Sequence, residues 1–406
     1  MSRMIIDNRY KVLRKIGSGA TSNVYKARDL KNNTIIALKI LSKTKTSSDV
    51  VQHFRREFRL LADLRHPNLC SVYDFGILKD GRSYFTMDYI EGDDIFTATR
   101  GLTYEKLYPL IVQLCRVLEY IHSKGLIHYD IKPSNVLIAK GKEQGAESKK
   151  PSAQRPMLHA KLLDFGLTGE QKTKDGTLMR GTFPYIAPEV IKGLTVDPRA
   201  DLYSLGVLLY KICTRKSFKT GTETSFATFL QQQRECVAEP PSKFVSRMPK
   251  RLEQLIIRLL SAEPAVRFSR ANEVIEKINK FSRKQFDLET EKTIEGYLLS
   301  SQFVGREKEM GKLQSLYEQM QHGNGKVVLI TGEAGIGKSR LLKEFKTITQ
   351  MKRSHTFIGY VHKDKTGPLE PFHDIFCELI DYIKKRANLF QSRKHKLSLA
   401  VLFKMF

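Results

Sequence analysis

The eight residues His128-Tyr129-Asp130-Ile131-Lys132-Pro133-Ser134-Asn135 put a carboxylate, a lysine two residues on and an amide five residues on into one loop. Such a set can take a proton from a hydroxyl nucleophile, offset charge on a phosphate and hold a metal-bound oxygen. A second carboxylate follows in Asp164-Phe165-Gly166, after the strand-like run Ala160 to Leu163. Two glycine-bearing stretches suit phosphates. In Gly17-Ser18-Gly19-Ala20-Thr21-Ser22-Asn23-Val24, glycines at the first and third positions let the backbone close over phosphates with its N–H groups facing the oxygens. Gly332-Glu333-Ala334-Gly335-Ile336-Gly337-Lys338-Ser339 satisfies G-x-x-x-x-G-K-[ST]. There, backbone N–H groups at a helix start would cradle phosphates, Lys338 would reach the outer oxygens and Ser339 would ligate Mg²⁺.

Loops that do chemistry need rigid neighbours. Tyr10 to Ile16 reads as a strand before the first glycine turn, and Ile36-Ala37-Leu38-Lys39 as an apolar strand ending in a cation. Phe54, Phe58, Leu61 and Leu64 recur at helical spacing, with Glu57 on the same helix ahead of His66-Pro67-Asn68. Leu69 to Leu78 and Ser83 to Tyr89 read as strands joined by the turn 79–82, running into the hinge-like Glu91-Gly92-Asp93-Asp94. From Thr103 the period becomes helical: Leu107, Ile111, Leu114, Leu118 and Ile121 line one face of a helix ending near Gly125, which delivers the chain to His128. Residues 140–159 are polar and rich in loop formers, an expected disordered insertion. Residues 282–301 read as a linker with some helix. Val327 to Thr331 reads as the strand before the second glycine loop, and Leu341, Leu342, Phe345 and Ile348 as one face of the helix after it.

Taken in order, the motifs of residues 10–281 resemble the protein kinase family, and Lys132 resembles its serine/threonine branch. The resemblance implies an α+β, two-lobed protein kinase fold: a small β-rich lobe over about 10–90 and a large helical lobe over about 91–281. It implies ATP and Mg²⁺ as cofactors, and transfer of the γ-phosphate of ATP to Ser/Thr hydroxyls of protein substrates in signalling. Residues Ile16, Gly17, Ser18, Gly19, Ala20, Thr21, Ser22, Asn23 and Val24 would cover ATP. Lys39 would hold its α- and β-phosphates, paired with Glu57. Met87 would be the gatekeeper, and the backbones of Asp88 and Ile90 would bind adenine. Asp130 would be the catalytic base and Lys132 would offset phosphoryl charge, while Asn135 and Asp164 would hold Mg²⁺. Thr182 would stand beside Asp130 and Lys132, Asp201 would tie down the catalytic-loop backbone, and Arg267 would pair with Glu189.

Two positions depart from the family pattern. Ser22 stands where a third glycine is usual, and Tyr129 where an arginine is usual. The arginine receives an activation-loop phosphate in many kinases, and a tyrosine cannot form that ion pair. The alternative function, a scaffold that binds ATP without transferring phosphate, would require loss of a catalytic carboxylate or lysine. Lys39, Glu57, Asp130, Lys132, Asn135 and Asp164 are all retained.

Residues 302–406 resemble the start of the AAA-type P-loop ATPase module of large bacterial signalling proteins, through Phe303-Val304-Gly305-Arg306-Glu307 and the glycine loop at Gly332, Gly337, Lys338 and Ser339. Such a sheet needs a Walker B carboxylate after a later apolar strand, and Leu397 to Phe406 offers none, so a partial α/β P-loop domain is expected. Further signalling domains or partner proteins are implied.

The chain of 406 residues, 41% hydrophobic, is long enough for two or three domains. No apolar run approaches the roughly 18 residues of a membrane helix, so no transmembrane segment is expected. The five cysteines, Cys70, Cys115, Cys213, Cys236 and Cys377, are scattered and odd in number, which points to reduced thiols and a cytoplasmic home. The net charge of +26 is spread along the chain, without a recognition motif, so no specific nucleic acid is expected.

Overall fold

The computed structural model describes residues 4–19, 21–43, 47–140, 158–165, 171–172, 178–179, 182–216, 239–294, 306–332, 336–352, 354–361, 372, 375–376, 379–380 and 399–405. Ala20, Gly166, most of the 140–159 insertion and the threonines Thr168, Thr173 and Thr177 lie outside them. Two compact units divide the chain, residues 1–73 with 86–300 and residues 74–85 with 301–406.

Strands β1 (Ile5–Ile6), β2 (Tyr10–Ser18), β3 (Ser22–Asp29), β4 (Thr34–Leu41), β5 (Val72–Ile77) and β6 (Ser83–Asp88) form one sheet in the order β1-β2-β3-β4-β6-β5. In the β2–β3 hairpin Gly17 lies opposite Val24 and Ser18 opposite Asn23, and in β3–β4 Val24 lies opposite Lys39. The same register therefore carries both the glycine turn and the lysine. Helix α1 (Ser48–Asp63) starts six residues before the expected Phe54, with Asp49 in its first turn, where a carboxylate suits the helix dipole. It buries Phe54, Glu57, Phe58 and Leu61 on one face. A glutamate in that stripe requires a partner. Leu69, expected to open β5, instead bridges to Leu162.

Strands β7 (Gly92–Asp94), β8 (Val136–Lys140) and β9 (Leu158–Leu162) form a small antiparallel sheet. Any Cβ at residue 92 would lie 2.1 Å from the Ile138 carbonyl oxygen, so the approach of β7 to β8 requires glycine. Asp94 caps helix α2 (Ile95–Ala98), its Oδ1 accepting from the backbone N–H groups of Phe96 (2.9 Å) and Thr97 (3.1 Å). Helix α3 (Tyr104–Ser123) buries the predicted stripe. Two short strands, β10 (Gln171–Lys172) and β11 (Leu178–Met179), pair with each other, followed by α4 (Pro188–Ile191). Helix α5 (Arg199–Thr214) is buried almost all round, as its apolar sequence demands. Gly206 lets it approach α6 (Lys250–Leu259), since a Cβ there would stand 2.7 Å from Leu259 Cβ. Helix α7 (Ala271–Asn279) completes this lobe.

The segment expected as a linker is drawn onto α3 and α7 over residues 282–294. Arg116 Nε donates to the carbonyls of Asp287 (3.1 Å) and Leu288 (3.2 Å), and the Phe286 N–H donates to Asn279 Oδ1 (2.9 Å).

In the second unit, α8 (Glu307–Gln321) and α9 (Lys338–Met351) bury Leu313, Tyr317, Leu341 and Phe345 together. Strands β12 (His355–Val361) and β13 (Leu399–Met405) pair in parallel, as an α/β module requires. The expected strand Val327 to Thr331 is a correction: no strand forms there, and Val327 and Leu329 are 101% and 80% exposed. A strand is held by ladder bonds to a neighbour, and this segment has none among the described residues. Among the same residues no helix is long and apolar enough to cross a membrane.

Candidate active site

The catalytic-loop backbone is anchored by one buried carboxylate. Asp201, in the first turn of α5, accepts from the N–H of His128 at Oδ2 (2.8 Å) and of Tyr129 at Oδ1 (2.9 Å), and its Oδ2 also meets His122 Nε2 at 2.8 Å. Burial opposes ionisation of Asp201, but the bonds from His122 and from the loop hold its carboxyl below the usual range. His128 is buried against the Phe165 ring and its Nε2 meets the Leu163 carbonyl at 2.8 Å. Burial pushes its pKa down, against the pull of Asp201. Tyr129 takes a left-handed backbone, φ 66°, which turns the chain so that Asp130 follows inward.

Asp130, Lys132 and Asn135 are brought together as predicted. Asn135 Nδ2 donates to the Asp130 carbonyl (2.9 Å) and to Asp130 Oδ2 (2.7 Å). Lys132 Nζ lies 2.7 Å from the same Oδ2 and donates to Thr182 Oγ1 at 2.6 Å. The turn Pro133–Asn135, a single 3-10 turn opened by proline, holds this spacing.

Lys39 meets Glu57 Oε1 at 2.8 Å and Asp164 Oδ2 at 2.7 Å. Burial would lower the lysine pKa, yet the Asp164 and Glu57 carboxylates outweigh it, and Lys39 is held charged. Burial of Glu57 pushes its carboxyl up to about 7 despite the lysine beside it.

At this site three buried carboxylate oxygens have no hydrogen-bond partner among the described residues: Asp130 Oδ1, Asp164 Oδ1 and Glu57 Oε2. A buried, unsatisfied charged acceptor is costly and marks a place where a ligand belongs. Asp164 Oδ1 and the amide oxygen of Asn135 fit a hard cation. Among the described residues no cluster of three or more His, Cys, Asp or Glu could hold a metal alone. This suits Mg²⁺, which takes one or two carboxylates and completes its shell with water and phosphate oxygens.

The glycine turn is closed by Gly19 N–H to the Ser22 carbonyl (2.8 Å) and by Ser18 Oγ to Asn23 Oδ1 (2.9 Å). Ile16, Gly17, Thr21 and Val24 lie on the same hairpin, and Ala20 is outside the described residues. Asp88 ends β6 behind the buried Met87, its N–H donating to the Ser71 carbonyl (2.9 Å), and Ile90 follows two residues on. Farther from the chemistry, Arg267 meets Glu189 in a two-pronged pair, 2.7 and 2.8 Å, as expected.

Sequence reasoning missed His122 and Gln113. His122 lies in the last turn of α3, where a histidine is unremarkable beside the helix dipole. Gln113 Oε1 accepts from the Ala160 N–H and from Asn68 Nδ2, each at 2.9 Å, tying α3 to the strand that leads to Asp164. A lone glutamine inside an apolar helical stripe carries no signal.

In the second unit, Lys338 Nζ donates to the Gly332 carbonyl at 2.7 Å, and Gly332 and Gly337 have φ of 156° and 93°. Ser339, in the first turn of α9, is exposed.

Comparison with known proteins agrees with this geometry. The AAA ATPase domain family matches residues 302–400. A probable serine/threonine-protein kinase of Clostridium perfringens is 32% identical over 289 residues, covering 69% of this chain and 39% of the relative. The serine/threonine-protein kinase pkn3 of Myxococcus xanthus is 32% identical over 275 residues, covering 64% of this chain and 47% of the relative. The chain thus spans two fifths to a half of these relatives. The crystal structure of the Mycobacterium tuberculosis PknI kinase domain aligns with a TM-score of 0.51 at 26% identity, covering 69% of this chain and 98% of that one. The protein kinase domain family matches residues 10–279, about two thirds of the chain, and the protein belongs to that family.

Proposed function

We propose that the protein is a cytoplasmic, ATP-dependent serine/threonine protein kinase with a signalling role, acting on Ser/Thr hydroxyls of proteins with Mg²⁺ as its metal. The observation that carries this is the pair of orphaned oxygens, Oδ1 of Asp130, whose other oxygen Asn135 holds, and Oδ1 of Asp164, whose other oxygen meets the charged Lys39. Bound Mg²⁺ would supply charge neutralisation across the phosphate oxygens. Asp130 Oδ1 accepts the proton of a Ser or Thr hydroxyl as that oxygen bonds to the γ-phosphorus and the bond to ADP breaks. Lys132 offsets charge on the phosphoryl group in flight. Lys39, oriented by Glu57, holds the α- and β-phosphates. Asn135 does two jobs, fixing the Asp130 rotamer through Nδ2 and offering its amide oxygen to the metal. Positioning and electrostatics then supply most of the rate, as a loose phosphoryl transition state requires.

Tyr129 cannot pair with a loop phosphate, and its backbone N–H is already held by Asp201. Activity therefore does not rest on a phosphate contact at this position. The glycine loop of the second unit lacks its strand, and catalysis belongs to the first site.

The test is transfer of labelled γ-phosphate by wild type, Asp130→Asn and Lys338→Ala. Signal lost in Asp130→Asn and retained in Lys338→Ala is expected. Equal signal from wild type and Asp130→Asn would overturn the assignment, leaving an ATP-binding scaffold.

A further inference from the structure

Four cations gather beside the segment that touches the catalytic lysine. Thr182 accepts from Lys132, and Tyr185 is turned back onto Thr182 by its N–H to the Thr182 carbonyl, 2.8 Å. The Tyr185 carbonyl is fastened to Ser204 Oγ at 2.8 Å, and its hydroxyl accepts from Lys211 Nζ at 3.3 Å. Lys211 also lies 5.3 Å from the centre of the Phe96 ring. One turn on, the Arg215 guanidinium stacks on that ring at 4.7 Å, donates to the Phe96 carbonyl and reaches Thr99 Oγ1 at 3.3 Å. Arg100 is the next residue and is exposed, as are Arg215 and Lys216. Among the described residues none of these four cations stands within ion-pair distance of a carboxylate. Asp94, the acid whose charge acts on Arg215 among the described residues, is taken up by capping α2 through both its oxygens. Where it packs on Phe96 the Arg215 guanidinium loses water, which pulls its pKa down, and repulsion from Arg100 adds to this. Among the described residues the patch is thus positive and mounted on aromatic faces, with no carboxylate paired to it.

Its place relative to the chemistry follows from the turn. Thr182 and Tyr185 span a four-residue turn, whose ends lie within about 7 Å. An extended peptide advances about 3.3 Å per residue. Lys211 is thus joined to Lys132, beside Asp130, by one turn and two side-chain contacts, a separation on the scale of a few peptide residues.

We propose that Lys211 and Arg215, with Arg100 beside them, read the acceptor by charge, and that the proteins phosphorylated here carry Asp or Glu residues flanking the Ser or Thr. This rests on the kinase function proposed above. The long-range field of a chain of net charge +26 favours the same class of partner.

The experiment uses the full chain and three serine peptides, flanked on both sides by Glu, by Ala or by Lys. It measures kcat/KM for each with wild type, Lys211→Glu and Arg215→Glu. Wild type should prefer the Glu peptide over the Lys peptide at least tenfold. Either charge reversal should shrink that ratio at least fivefold, and the ratio cancels any general loss of activity. Raising the salt from 50 to 300 mM should shrink it too. Equal rates on the three peptides, a preference for Lys, or a ratio unmoved in both variants would overturn the inference. Should Arg215→Glu fail to fold, Lys211→Glu decides by the same criterion. No transfer to any peptide, or to the protein itself, would instead sink the kinase reading.

Discussion

Removing Arg267 should strip this lobe of a buried ion pair and three further hydrogen bonds. Its guanidinium side chain is fully buried and meets both oxygens of Glu189, at 2.7 and 2.8 Å. It also donates to three carbonyls, those of Ser261 (2.8 Å), Arg199 (3.0 Å) and Ala262 (3.2 Å). Breaking a buried ion pair from one side costs about 3–5 kcal/mol, because the remaining charge stays buried and uncompensated. Each orphaned carbonyl adds about 1 kcal/mol or more. Arg267→Met should therefore destabilise by roughly 5 kcal/mol or more, against roughly 5–15 kcal/mol for a whole domain. Glu189→Gln keeps an acceptor for the guanidinium and should cost less. The double variant should recover about 2 kcal/mol relative to the sum of the singles, within the range of direct contacts. The chain has no tryptophan, and its second unit clouds a two-state denaturation curve. Hydrogen exchange of the α5 amides isolates the unit that matters. A loss of about 5 kcal/mol speeds their exchange by more than a thousandfold. A coupling under about 0.5 kcal/mol, or an Arg267→Met loss under about 1 kcal/mol, would refute this reasoning and leave apolar packing as the anchor of α4.

Other outcomes follow from the same structure. Asp130→Asn should lower kcat by about 10²–10⁴-fold while ATP still binds, measured by phosphotransfer and by titration with the nucleotide; an unchanged KM with unchanged kcat would remove Asp130 from the reaction. His66 is buried and its pKa is pushed down to about 3, against an ordinary 6.5. Its folded pKa lies below its unfolded one, so it costs nothing above pH 7, and stability falls as the unfolded chain takes up the proton below 6.5. Between pH 7 and 5 this amounts to about 2 kcal/mol, seen as an acid loss in urea unfolding that is absent from His66→Asn; equal losses in both proteins would contradict it. Gly206→Ala should destabilise by about 1–3 kcal/mol through the clash with Leu259, and Gly206→Ala with Leu259→Val should lose less than the two substitutions summed. Phosphatase treatment should leave kcat within about twofold if no phosphate pairs at position 129; a tenfold loss would show that another cation does that work.

Most of the small lobe and the catalytic loop could be read from residue order because their constraints are local. The glycine turn, the strand ending at Lys39, the α1 stripe and the His128–Asn135 spacing each lie within one element or one loop. The Glu189–Arg267 pair, 78 residues apart, was reached only through family resemblance. His122 and Gln113 could not be read at all, since their partners Asp201 and Ala160 are brought near by packing of α3 against other elements. The strand at Val327–Thr331 failed for a related reason. Its apolar run satisfies the local pattern, but a strand also needs a neighbour for its ladder, and that neighbour is not a property of the run itself. The charged patch around Lys211 was equally invisible, because α2, α5 and Tyr185 meet only in the folded lobe.

The three bonds that converge on Asp201 have a consequence for how this site can vary over time. Two of them take hold of the main chain at residues 128 and 129, so this grip on the loop does not pass through the Tyr129 side chain. The left-handed turn there disfavours β-branched residues. At position 129 the loop is thus gripped by its backbone. A tyrosine there removes the charge that would receive a loop phosphate and leaves both backbone grips beside Asp130 in place.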